Sequence, residues 1–203
     1  MSSQRPARAR ATLIWTAVFI CVVVPVVAAT LSPLLAWRSP VYIVAGFAGI
    51  IAMTLLLIQP LLAGGILPGL NIMQSRKIHR VLGGALVTLV LIHVVGLWVT
   101  SPPDVVDALL FSSPTPFSVW GVIGMWTIFI SALAVLSRRR LRLAPMTWRR
   151  VHMGFAVVIV TSTAVHALQI VGTMEPVSKG LLSFLIMVVT ATVIVGRSRA
   201  KAS

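Results

Sequence analysis

The segments RKIHRVLGGALVTLVLIH, residues 76–93, and RRVHMGFAVVIVTSTAVH, residues 149–166, together hold every histidine of the chain. In each segment the same spacing separates the two histidines, His79 from His93 and His152 from His166. The matching residues of the two segments differ in number by a constant, which we call the histidine offset. The match includes the two basic residues and the aliphatic residue that come before the first histidine of each segment. This shared spacing indicates a repeat that serves to place four imidazoles.

The composition is that of an integral membrane protein. Of the 203 residues, 58% are hydrophobic and only 10% are charged, and the mean hydropathy is +1.03. A helix needs about 20 apolar residues to cross a bilayer. Six runs are long enough: residues 11–31, 41–63, 78–100, 117–137, 151–171 and 178–196. We therefore predict an all-α membrane protein with a bundle of six transmembrane helices.

The basic residues predict the orientation of this bundle. Fifteen of the 17 lysines and arginines lie in the N-terminus, the second and fourth loops and the C-terminus, while the other loops hold only Arg38 and Lys179. Cytoplasmic loops carry such an excess, so both termini are predicted to be cytoplasmic. The predicted organisation is a basic N-terminus (1–10), a transmembrane domain (11–196) and a basic tail (197–203). Because topology explains the net charge of +14, nucleic-acid binding is not expected.

Two local patterns predict further features. Pro60 and the glycines and prolines after it are expected to end the second helix and to kink it, since proline removes a backbone donor. In the longest external loop, the apolar residues 105–111 are expected to form a short helix on the membrane surface.

The histidine spacing places two imidazoles on one face of each helix. The separation within each pair corresponds to a rise of about 21 Å and returns to within about 40° of the starting direction. Since the hydrocarbon core is about 30 Å thick, one histidine of each pair is expected near each membrane surface. Helices three and five run in the same direction, so His79 lies level with His152 near the inside. His93 then lies level with His166 near the outside.

Two imidazoles that face each other across a bundle can ligate a haem iron from both sides. Two such levels predict two haems stacked between the third and fifth spans. One turn after the inner histidines lie Gly83 and Ala156, small enough to leave space for a macrocycle, although small residues also mediate helix packing in membranes. Zinc or copper would need three or four ligands close together, whereas the two histidines of each helix are about 21 Å apart, so these metals fit the pattern poorly.

The two segments resemble the signature helices of the ferric reductase-like transmembrane domain. That family includes the membrane parts of ferric-chelate reductases and NADPH oxidases, and the haem subunit of a periplasmic methionine sulfoxide reductase system. The similarity spans about residues 41–196 and implies two b-type haems. It implies that His79 pairs with His152 and His93 with His166. Electrons would pass from the cytoplasm to an external acceptor such as ferric iron.

Two departures from the family pattern refine this expectation. The 203 residues contain no glycine-rich dinucleotide fingerprint after a predicted strand, so no FAD or NAD(P)H site is expected and a separate flavoprotein is the predicted donor. The sulfoxide reductase subunit also lacks that domain, but it usually has no histidine at the position of His79. Having all four histidines favours the two-haem ferric reductase arrangement.

Other residues are weaker candidates for cofactor contacts. Arg80, Arg149 and Arg150 lie beside the inner histidines and are candidates for the haem propionates, although the positive-inside rule alone explains basic residues there. Thr100 and Ser101 are the corresponding candidates for the propionates of the outer haem. Four aromatic residues are candidates for the haem path, with packing or lipid contact as the simpler role: Trp98, Trp120, Trp126 and Phe155.

Two other functions stay open at this point. A quinone- or ascorbate-linked cytochrome b of the b561 type also uses histidine pairs within six helices, but it distributes them differently. A membrane scaffold or transporter could use histidines for hydrogen bonds between helices. The absorption spectrum of the purified protein distinguishes a haem protein from the latter.

Overall fold

The computed structural model describes residues 4–199, with side chains for residues 8–196. Within this range the chain forms seven α-helices and one 3-10 helix, Pro33–Leu35. The α-helices are α1 (Gln4–Thr30), α2 (Pro40–Gly64), α3 (Ile72–Thr100), α4 (Pro102–Leu109), α5 (Pro116–Leu141), α6 (Pro145–Gln169) and α7 (Pro176–Arg199). The expected tail residue Lys201 lies outside the described residues, as do the side chains of Arg5, Arg197 and Arg199.

Six of these helices, all except α4, are long and apolar enough to cross a membrane, which confirms the predicted multi-pass architecture. Several begin earlier than the apolar runs. The helix α3 begins at Ile72 rather than at residue 78, because the side chain of Asn71 accepts from Gln74 N at 2.8 Å and Gln74 caps Asn71 in return. Arginine and lysine are good helix formers, so the helix continues through its basic turn.

The two local expectations have different outcomes. A helix does form in the loop that we predicted to be external, but it covers Pro102–Leu109 rather than residues 105–111, because its prolines occupy the first turn. Pro60 lies inside α2, which continues to Gly64 and ends where Gly65 adopts the left-handed conformation at φ 66°. The kink expected at Pro60 stays a prediction.

The bundle consists of two helix hairpins and two flanking helices. We call α2 with α3 the first hairpin and α5 with α6 the second hairpin, since each pair packs along its length. The helix α7 packs against α2 and α6, and α1 packs against α2 and α7. The core lies around α2 and α7, where Leu57, Leu182 and Ile186 are almost fully buried. By contrast, α3 and α6 are not among the closely packed pairs.

Candidate functional site of four histidines at two levels

The structure brings His79 of α3 and His152 of α6 together. Their ring centroids are 6.3 Å apart and their planes meet at 73°. Both side chains are half-buried. Because α3 and α6 do not pack closely, the two imidazoles face each other across a gap between the hairpins. We call this pair the inner level.

The other two histidines are each held by a backbone carbonyl of their own hairpin. Nδ1 of His93 lies 2.8 Å from Ala45 O on α2, and Nδ1 of His166 lies 2.8 Å from Phe117 O on α5. Since Ala45 and Phe117 are both near the start of their helices, His93 and His166 lie at the same end of the bundle. We call them the outer level. Among the described side chains, no direct ring contact joins this pair.

Two glycines allow the outer imidazoles to reach those carbonyls. A Cβ atom on Gly49 would lie 3.0 Å from His93 Nδ1, which is tighter than most real Cβ contacts. One on Gly121 would lie 2.7 Å from His166 Nδ1 and Cε1, closer than real Cβ atoms come to any neighbour. A side chain at either position would therefore displace the ring. Each glycine follows its carbonyl by one helical turn.

At the inner level the partners of the imidazoles differ. Nδ1 of His79 lies 3.2 Å from the backbone carbonyl of Gln59 on α2. Nδ1 of His152 lies 3.4 Å from Oγ of Ser131 on α5, which is long for a hydrogen bond. Each inner histidine is therefore also oriented by the other helix of its own hairpin.

The side-chain amide of buried Gln59 adds a second contact to His79. With its nitrogen toward the ring, the amide donates to Nδ1 at 2.6 Å while its oxygen accepts from Gly83 N at 2.9 Å. With its oxygen toward the ring, the amide could accept from a protonated Nδ1, but its nitrogen would then face the N–H of Gly83 and its oxygen the carbonyl of His79, so those two hydrogen bonds would be lost. The tautomer of His79 decides between these orientations, because only a protonated Nδ1 can donate.

These partners extend the repeat beyond the two segments in which it is evident. They form three pairs that share a single offset in residue number: Ala45 and Phe117, Gly49 and Gly121, Gln59 and Ser131. The sequence reasoning missed all six. A signal was present, because this partner offset is smaller than the histidine offset by only one, and each partner therefore lies one residue farther from its histidine in the second hairpin than in the first.

One helical turn before the inner histidines, the two hairpins differ in sequence. Trp148 stacks on His152, with ring centroids 5.5 Å apart and planes within 19° of parallel. The guanidinium carbon of Arg138 lies 5.2 Å from the centroid of the same indole. The histidine offset matches Trp148 with Ser75, which is 3% exposed and whose hydroxyl has no hydrogen-bond partner among the described residues.

The structure places the smaller candidate residues as follows. A Cβ on Gly83 would meet Nε2 of Gln59 at 3.8 Å, so the space beside Gly83 is bordered by this amide, and Ala156 is half-buried on α6. Arg80 and Arg150 are exposed, whereas Arg149 is half-buried. All three arginines stay candidates for anion binding rather than observed contacts.

The remaining candidates are used elsewhere in the fold. Thr100 donates to the carbonyls of its own helix, Gly96 O and Leu97 O, both at 3.1 Å. Ser101 donates to Asp104 Oδ2 at 2.5 Å. Of the four aromatic candidates, Phe155 packs against the core, and the three tryptophans are at least one-third exposed on the outside of the bundle: Trp98, Trp120 and Trp126.

Each level holds two imidazoles. Among the described residues, no three histidine, cysteine or acidic side chains come together. A metal held at either level would therefore need its remaining ligands from a planar cofactor such as a porphyrin, which supplies four equatorial nitrogens. An imidazole whose Nδ1 is held by a neighbouring group presents its Nε2 to a metal.

Six membrane-spanning helices with histidine pairs at two heights define an all-helical, multi-pass membrane protein with paired imidazoles between its hairpins. Residues 45–163, more than half of the chain, match the family of the ferric reductase like transmembrane component. The chain belongs to this family, which indicates a component of a transmembrane electron-transfer oxidoreductase. The matched segment begins at Ala45 and ends shortly before His166. No curated protein and no solved structure gave a significant match.

Proposed function

We propose that this protein is a haem-containing oxidoreductase that carries single electrons across the membrane. In this proposal a cytoplasmic donor supplies the electrons, two b-type haems conduct them, and an external acceptor such as ferric iron receives them. The observation that carries the proposal is the facing pair His79 and His152 across the gap between α3 and α6.

The distance between these rings fits one iron atom between them. A metal–imidazole bond is about 2.0 to 2.1 Å long, and the ring nitrogen lies roughly 1 Å from the ring centroid, so two ligands on one metal place their centroids about 6 Å apart. The observed separation is 6.3 Å. Within the described residues α3 and α6 do not pack closely, as a flat ring between them would require.

The partners at Nδ1 support the same assignment. A carbonyl oxygen can only accept, so Nδ1 of His93 and of His166 carries the hydrogen and Nε2 carries the lone pair that binds iron. His79 as an iron ligand would require the same tautomer. The backbone carbonyl of Gln59 would then accept from Nδ1, and its side-chain amide would have to turn its oxygen toward the ring and give up the hydrogen bond with Gly83 N.

In the proposed arrangement His79 and His152 bind the inner haem, and His93 and His166 bind the outer one. The haems supply reversible one-electron redox chemistry when bound, and the chain sets their spacing and surroundings. Gly83 and Ala156 leave space beside the inner ligands. Arg80, Arg149 and Arg150, which are close in sequence to the inner histidines, would pair with the propionates of the inner haem.

The basic residues support the proposed direction. Their clustering on alternate loops favours cytoplasmic termini, so the inner level would face the cytoplasm. We propose a flavoprotein as the donor, because flavins can exchange electrons one at a time.

Absorption spectroscopy tests this function directly. We expect the protein, purified from cells supplied with haem precursor, to show a b-type α band on reduction and about two haems per chain. Reduction by a reduced flavin, but not by a quinol or ascorbate, would separate the proposed function from a b561-type cytochrome. A purified protein that shows no α band and binds no added haem would refute the proposal and leave the scaffold or transporter as the better interpretation.

A further inference from the structure

The contact between Trp148 and His152 gives the inner level a route to the protein surface. The indole stacks almost parallel on the imidazole, with ring centroids 5.5 Å apart, and is itself half-buried. The guanidinium carbon of Arg138 lies 5.2 Å from the indole centroid, and Arg138 is exposed. One inner histidine is thus connected through a π-system to an exposed cationic residue.

The surroundings of Trp148 are strongly positive. The end of α5, the start of α6 and the turn between them hold six arginines and no acidic residue: Arg138, Arg139, Arg140, Arg142, Arg149 and Arg150. The three acidic residues of the chain all lie in other loops. The positive-inside rule explains the number of these arginines, but it does not explain why one of them stacks over the aromatic ring that contacts an inner histidine.

The comparison with the first hairpin shows that Trp148 is not part of the repeated scaffold. The histidine offset places Ser75 at its position, and Ser75 is buried and small. Holding an inner histidine does not require an aromatic neighbour at this position, since the first hairpin has only Ser75 there. We therefore infer that Trp148 has a function that only the second hairpin needs.

We propose that the arginine-rich turn between α5 and α6 is the docking surface for an acidic flavoprotein, and that electrons enter the chain through Trp148 to the inner level. This inference rests on the proposed function. The reduced flavin of the donor would lose one electron and one N–H proton. The proton would go to cytoplasmic water, and the electron would pass by way of Trp148 to a haem held by His79 and His152, which would be reduced by one electron.

The docking surface is tested by binding. Reduced and oxidised flavodoxin, a small acidic FMN protein, serves as the probe, and its affinity for the haem-loaded protein in detergent is measured over a range of salt concentrations. We expect the double variant R138Q/R139Q to bind flavodoxin between about 3-fold and 30-fold more weakly, with a shallower salt dependence. The control R8Q/R10Q removes the same charge from exposed positions of α1 and should bind as the unmodified protein does. Equal loss in both variants, or in neither, would overturn the docking surface.

The route through Trp148 is tested by stopped-flow reduction of the inner haem. We expect Trp148→Leu to slow reduction by bound flavodoxin about 10-fold or more, Trp148→Phe to restore most of the rate, and Trp126→Leu, on the exposed side of α5, to have no effect. The α band and midpoint potential of the inner haem are recorded for each variant, so that loss of the haem is not mistaken for loss of the route. An unchanged rate in Trp148→Leu with the inner haem in place would overturn this route, whereas a protein without any haem would instead overturn the proposed function.

Discussion

The two hairpins hold their outer histidines by the same means and their inner histidines by different ones. At the outer level each imidazole is 2.8 Å from a helix carbonyl and packs against a glycine one turn later. At the inner level Gln59 faces His79 with a backbone carbonyl and an amide, whereas Ser131 offers His152 a single long contact. In the proposed function the outer level, which is the same in both hairpins, only has to hold its ligands. The inner level, which differs between the hairpins, also receives electrons from the donor.

Among the changes that test this comparison, removal of an outer histidine should have the largest effect on haem content. We expect His166→Ala to lose the outer haem, so that about half of the bound haem remains, because the iron proposed at that level would keep only one of its two imidazoles. Haem content and the reduced α band measure the loss. His93→Ala should give the same spectrum. If neither variant lowers the haem content, the assignment of this pair to one haem is wrong.

The glycines at the outer level should come next. Gly121→Ala would place a Cβ 2.7 Å from His166, and Gly49→Ala would place one 3.0 Å from His93. We expect each to destabilise the outer site by about 1 to 3 kcal/mol, with the larger loss for Gly121→Ala. Haem loss from the outer level during thermal unfolding measures the effect.

Gly154→Ala is the matched control for these two variants, since nothing lies within 4 Å of a Cβ at Gly154. It should leave haem binding unchanged and favour the helix slightly. An outer level that tolerates alanine at both Gly49 and Gly121 would show that the close approach of the imidazoles is not required.

Replacing the inner partners should distinguish the two hairpins. Gln59→Leu removes a buried amide beside His79, and we expect the affinity for the inner haem to fall about 10- to 100-fold, as for other groups that orient a metal ligand. Ser131→Ala should have a smaller effect, because its contact is 3.4 Å long. Both are measured by haem transfer to apomyoglobin in a His166→Ala background. Equal effects of the two variants would show that the inner level is as symmetric as the outer one.

The smallest effect is expected at α7, which packs against a helix of each hairpin. Hydrogen bonds from Ser178 and Val177 hold the pKa of Glu175 below its ordinary value. A lowered pKa in the folded state gives stability that is present above the ordinary pKa and is lost as the pH falls through the lowered value. We therefore expect the melting temperature to fall slightly on acidification from pH 7, and to fall less in Glu175→Gln. An equal dependence on pH in both proteins would contradict this role of Glu175.

The sequence predicted the spans and the spacing of the histidines because both depend on local properties of one helix. Apolar length is evident along a single segment, and the separation within each histidine pair returns a helix to nearly the same face. The partners on α2 and α5 were not predicted, because they depend on how far one helix of a hairpin is shifted along the other. Only the partner offset, which relates Gly49 to Gly121, could have indicated them. The stack of Trp148 on His152 likewise depends on side-chain rotamers that spacing does not determine.

The hydrogen bonds at Nδ1 have a consequence for biosynthesis. Each histidine takes its partner from the helix that immediately precedes it in the chain: Ala45 and Gln59 before α3, Phe117 and Ser131 before α6. The first hairpin can therefore orient its two imidazoles as soon as α3 has been inserted, before α5 has been translated. In that order of insertion the imidazoles of the two hairpins would be oriented in two separate steps, and His79 and His152 would meet only when the second hairpin packs beside the first.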